Sequence, residues 1–145
     1  MLVLSCLVAG RRVAIPAAAI RSVIEIETVT VIPRAPDWVV GLTALRSQAL
    51  TVVDCAASIG VAAPVAADAT RGRRAAVVEV SGHLFALLVD EASDVTEATD
   101  APRPVPGGFG QAWQDAAHGL LETGDGPALS LDIERLVSGP RAAAA

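Results

Sequence analysis

Short strings of aliphatic residues, broken by Gly and Pro, run the length of the chain: residues 2–8, 13–15, 22–31, 75–80 and 84–89. Runs of this length, punctuated in this way, predict many short strands, and no segment sustains the 3.6-residue period of a long helix. Residues 50–53, Leu-Thr-Val-Val, have the β-branched and aliphatic content of a further buried strand. Asp54 closes that run and Asp132 closes the similar run at 129–131. Each acid precedes a short apolar segment, at 55–59 and 133–137, so each is expected to cap a short helix by accepting its free N-terminal backbone N–H groups. Gly60 and Gly139 then stand where a left-handed C-terminal stop is wanted.

The pattern repeats. Residues 8–15, VAGRRVAI, align with residues 80–87, VSGHLFAL, at an offset of 72, and the same offset sets Val23 against Val95. Each copy reads as strand, Gly-containing turn and strand, the signature of a β-hairpin. Gly41-Leu42 precedes Asp54 by the same 13 residues that separate Gly119-Leu120 from Asp132. The expectation is an all-β, duplicated fold: two related small β-barrels, the first lobe over about residues 13–70 and the second over about 71–139. Terminal segments are free to cross between the lobes, and an Ala/Pro loop at 61–70 joins them.

With 145 residues, 52% of them hydrophobic, the chain can bury a core without disulfides or metal. No run approaches the roughly 18 apolar residues that span a bilayer, so direct membrane insertion is not expected. The N-terminal MLVLSCLVAG places small and aliphatic residues before Cys6, but it is too short for a signal and has no basic start. A net charge of −5 leaves no positive field for nucleic acid, and the basic cluster at 71–74 reads as a solvated loop edge. Cys6 and Cys55 sit in apolar strings, which suits small buried hydrophobes, while His83 and His118 lie apart from them, so no metal-ligand spacing appears.

Catalysis needs an activated nucleophile, a metal or a cofactor cradle, and none can be assembled. The glycines at 107–110 follow a Pro-rich stretch and read as a flexible turn; Asp90-Glu91 and Glu122 with Asp125 read as surface acids. No enzyme activity and no cofactor are expected. What remains is a binding surface. Arg46 is either a surface residue extended along its apolar stem or a fork for a partner's carboxylate. Glu25 is either one exposed acid on a strand or part of an interface, and the two could pair with each other. Competing classes are a small-molecule-binding or hydrolytic β-barrel and a self-associating module.

Three stretches taken in order carry a resemblance. PRAPDWVVGLTALRSQALTVVDCAASI (33–59) follows the pattern P-x-x-P, G-h, L-R and V-h-D (h, apolar), LLVDEASDV (87–95) follows L-L-V-D, and LSLDIERL (129–136) follows L-x-L-D-h-x-x-L. Together they resemble the CheW-like coupling domain of bacterial chemotaxis. The resemblance implies two five-stranded SH3-like barrels packed on a common hydrophobic core. It also implies a noncatalytic cytoplasmic adaptor, recruited to membrane-associated receptor arrays, that couples a chemoreceptor's cytoplasmic tip to the regulatory domain of a CheA-type histidine kinase. The partner-binding residues it implies are Val23, Glu25, Gly41, Arg46 and Val95. No receiver-like or ATP-binding domain accompanies the pattern, so a stand-alone adaptor is expected. Four positions depart from it: Ala44 for Asn, Ser47 for Gly, Thr51 for Pro and Cys55 for Leu. If glycine at position 47 serves a positive φ, serine there costs about 1 kcal/mol.

Overall fold

In the computed structural model, which describes residues 1–99 and 101–140, ten strands form two five-stranded sheets with three short helices between them. In chain order they are β1 (Leu2–Val8), β2 (Arg11–Pro16), β3 (Ile20–Glu25), β4 (Val39–Leu45), β5 (Gln48–Asp54), α1 (Cys55–Ile59), β6 (Arg74–Val80), β7 (His83–Leu88), β8 (Glu91–Glu97), α2 (Gln111–Ala116), β9 (Ala117–Thr123), β10 (Gly126–Leu131) and α3 (Ile133–Ser138). The first sheet has the order β8-β1-β2-β10-β9, and the second β3-β6-β7-β5-β4.

These orders superpose when the repeat is applied. β1, β2 and β3 map onto β6, β7 and β8 at the offset of 72; β4, β5 and α1 map onto β9, β10 and α3 at 78. Each sheet is therefore the same five-strand unit, but assembled from both halves: the β1–β2 hairpin is inserted between β8 and β10, and the β6–β7 hairpin between β3 and β5. The sheets therefore do not follow a simple cut of the chain at 70/71, and segments cross between them. The first sheet draws on residues 2–16 and 91–131, and the second on residues 20–88. The three-residue 3₁₀ turn Ala17–Ala19 carries the chain straight from β2 in one sheet into β3 in the other.

An exchanged hairpin is buried on both faces. Leu4, Cys6 and Val8 face a core shared by the two sheets, with Val13, Ile15, Val53, Ala76, Val78, Leu87 and Leu129, while Val3 and Ala14 turn toward Leu121 and Ala128 inside their own sheet. On the second sheet Ala75, Val77, Ala86 and Leu88 do the same with Leu50 and Val52. Helices α1 and α3 meet over the shared core, where Ser58 donates to the Leu136 carbonyl at 2.5 Å and the Trp38 indole donates to the Val137 carbonyl at 3.4 Å.

Asp54 and Asp132 cap α1 and α3, accepting from Ala57 N (3.3 Å) and Arg135 N (3.2 Å). Asp54 also accepts from Val65 N at 3.1 Å and so pins the loop between the halves. Gly60 stops α1 in the left-handed region; Gly139 has a positive φ of 82° but an extended ψ of −176°, packed flat against the Trp38 ring. The strand expected over 22–31 ends at Glu25, where the chain turns off so that Ile26 enters the second sheet's interior. The flexible turn expected at 107–110 is a 3₁₀ turn, Gly107–Phe109, leading into α2, whose Trp113 fills part of the shared core; Arg11 lies over the Phe109 ring, 3.9 Å from its centroid.

Both cysteines are free thiols in that shared core, and burial pushes the Cys6 thiol up to about 12 and the Cys55 thiol further still. A thiolate-selective reagent such as DTNB at pH 8 is accordingly expected to leave both untouched in the folded chain and to titrate two thiols in denaturant. Rapid labelling of either without denaturant would contradict this placement.

Candidate partner-binding site

An open groove of about 440 Å³ runs between β3 and the turn joining β4 to β5. One wall is residues 21–24; the other is Leu45, Arg46 and Gln48; Leu50, Val77 and Leu84 form an apolar floor. Val23 is 38% exposed on this wall. Arg21 is held by Glu79 beside it. Arg46 is exposed and, among the described residues, has no ion-pair partner.

The turn fixes how Arg46 is presented. Arg46 and Ser47 both have positive φ, 49° and 69°, the conformation of a two-residue type I′ hairpin turn. The turns at Ala9-Gly10 and Ser81-Gly82 have the same signs, with glycine in the second place; here a serine fills it. Ser47→Gly is expected to stabilise the chain by about 0.5–1 kcal/mol, because relieving the strain outweighs the entropy glycine adds to the unfolded chain. A melting temperature unchanged or lowered by this substitution would show the turn to be unstrained.

Of the residues expected to bind partners, the structure brings Val23 and Arg46 together across this groove. Glu25 is exposed at the end of β3, opposite Arg74 in register, and forms no pair with Arg46. Val95 is 52% exposed on β8, the edge of the other sheet, so it belongs to a separate face. Gly41 is buried: a Cβ there would lie 2.3 Å from the Thr30 carbonyl oxygen. It serves the close crossing of two backbone segments. Leu45, Val77 and Leu84 are the groove residues that sequence reasoning missed. The signal was the repeat itself, which pairs Val77 with Ser5 and Leu84 with Arg12 and so marks two positions where only the second sheet is apolar.

The basic cluster is less solvated than expected. Arg73 is half-buried, donating to Asp90 at 2.9 Å and to the Val89 carbonyl at 3.1 Å, and Asp90 in turn accepts from Ala9 N at 2.7 Å. These bonds tie the corner before β8 to the tip of the β1–β2 hairpin. Among the described residues, no group of three His, Cys, Asp or Glu could hold a metal ion, and no helix is long and apolar enough to cross a membrane.

The profile described as "CheW-like domain" matches residues 2–141. The chain belongs to that family. The CheW-like fold is borne out by the crystal structure of the scaffolding protein TtCheW from Thermoanaerobacter tengcongensis: it is similar with a TM-score of 0.74 and 20% sequence identity over 91% of this chain and 84% of that one. No curated protein sequence matches the chain. As a CheW-like domain the chain is a member of a noncatalytic scaffolding family of chemotaxis, and its two sheets are the SH3-like lobes of that fold.

Proposed function

We propose that this CheW-like chain is a cytoplasmic adaptor that couples the cytoplasmic tip of a chemoreceptor to the regulatory domain of a CheA-type histidine kinase. The observation that carries this reading is the open groove beside β3, with Val23 exposed on one wall and on its rim an arginine that, among the described residues, has no ion-pair partner. An exposed apolar side chain such as Val23 supplies affinity, and the charge on the groove's edge supplies register. Val95, on the far sheet, supplies a second apolar face, as a bridge between two partners requires. A ligand-binding barrel would need an enclosed pocket with converging polar groups, whereas the interiors of both sheets are filled by side chains such as Leu50, Val52, Leu121 and Ala128.

A transient contact of this type buries roughly 800 Å² per partner or less. Calorimetric titration of the chain with the kinase regulatory domain is expected to give micromolar binding. No detectable association at high micromolar concentration would overturn the adaptor reading.

A further inference from the structure

We propose that the groove beside β3 is an unclosed barrel seam that accepts an extended segment of the kinase regulatory domain, apolar and acidic, which adds as a strand to the free edge of β3 and sets a carboxylate against Arg46; this rests on the adaptor reading above.

Residues 21, 22, 23 and 24 all line the groove. Consecutive residues of a strand point to opposite faces, so a groove touching all four runs along the strand's edge. Among the described residues β3 pairs with β6 alone, and its other row of backbone N–H and C=O groups looks into the groove. Natural edge strands are usually blunted or covered, and an exposed Val23 at the centre of this one does neither.

The internal repeat supplies the control. In the first sheet the matching seam, between β8 and the β9–β10 turn, is zipped: Gly124 N donates to the Glu97 carbonyl at 3.3 Å, Thr99 N donates to the Glu122 carbonyl at 3.1 Å, and Ala98 bridges Thr123. Closure there depends on Gly124, which comes so near β8 that a Cβ would lie 2.4 Å from Thr96 Oγ1. The residue at the position of Gly124 in the second sheet is Arg46, whose side chain cannot make that approach. Arg46 props the seam open.

The floor changes in the same sense. Thr96, Ser5 and Arg12 of the first sheet, with Arg12 donating to Ser5 Oγ at 2.7 Å, correspond to Ile24, Val77 and Leu84 of the second. Three polar positions at a closed seam are three apolar positions at an open one. The occupant is therefore apolar where it meets Val23, Ile24 and Leu84, apolar residues of the groove that reach solvent. It is acidic near the turn, because Glu79 already engages Arg21 and, among the described residues, Arg46 is the groove's cation without an ion-pair partner. Strand addition to an exposed edge, with backbone bonds for affinity and side-chain pockets for specificity, fits all of these features.

Hydrogen exchange of the full-length chain, alone and with the regulatory domain of a CheA-type kinase, tests the proposal. The amides of β3 that do not bond to β6 are expected to slow about tenfold or more in the complex. Arg46→Glu is expected to weaken binding about 30-fold or more with its melting temperature unchanged, and Arg46→Lys less than about tenfold. A complex that forms with β3 exchange unaltered, as a docked helix or a flat contact would give, overturns strand addition and leaves the adaptor reading standing. So does undiminished binding by Arg46→Glu. Protection of β3 that rises with the concentration of the chain alone would reassign the occupant to the acidic β8 edge of a second copy, and no binding at all removes both readings.

Discussion

Gly41→Ala is expected to destabilise the chain by about 3–5 kcal/mol, a large share of the roughly 5–15 kcal/mol that holds a domain together. The added methyl would lie 2.3 Å from the Thr30 carbonyl oxygen and 2.8 Å from a Val29 methyl. Making room means moving the segment after β3 away from β4, which strains the two 2.8 Å hydrogen bonds between Thr30 and Leu42. Overpacking costs about 1–3 kcal/mol and each weakened bond about 1. Gly119→Ala is expected to behave alike, because its Cβ would lie 2.5 Å from the Arg103 carbonyl oxygen, at the equivalent crossing of the other sheet. Gly10→Ala is the contrast: φ is positive there but nothing lies within 4 Å, so only about 1 kcal/mol of backbone strain is added. Thermal melts of the three variants decide the matter; equal losses for Gly10→Ala and Gly41→Ala would show that the crossing is not tightly packed.

A cut between Ala62 and Ala63, both exposed, is expected to leave the molecule folded with its two fragments inseparable by gel filtration at micromolar concentration. The first fragment holds β1 to β5 and the second β6 to β10, and each lends its leading hairpin to the other's sheet. Neither fragment can complete a sheet alone, and parting them would expose both faces of both hairpins. What the cut does change is the unfolding equilibrium, which becomes bimolecular, so the melting temperature should rise with protein concentration. Fragments that elute apart without denaturant would mean that the halves are independent lobes.

The elements of the fold were legible where local chemistry dictates them. Alternating apolar runs around Gly10 and Gly82 read as hairpins, and Asp54 and Asp132 cap helices as their positions before short apolar segments require. The pairing of those elements was hidden. A repeat makes its two halves chemically alike, so by apolar pattern the β1–β2 hairpin fits its own half and the other half about equally. Helix α2 escaped because six residues carry too little periodicity, with only Trp113 and Ala116 buried. At the candidate site, motif resemblance brought out Arg46 and Val23, the side chains that reach solvent. It also brought out Gly41, whose requirement is backbone proximity, and passed over Val77 and Leu84, ordinary aliphatic residues whose difference appears only against Ser5 and Arg12 in the other sheet.

The hydrophobic interior common to both sheets has a mechanical corollary. Rotating one sheet against the other would shear Leu4, Cys6 and Val8 away from Val53, Val78 and Leu87, and would pull on hairpins anchored at the opposite end. The groove beside β3 and the face that carries Val95 are thus joined through one packed interior, the build of a strut.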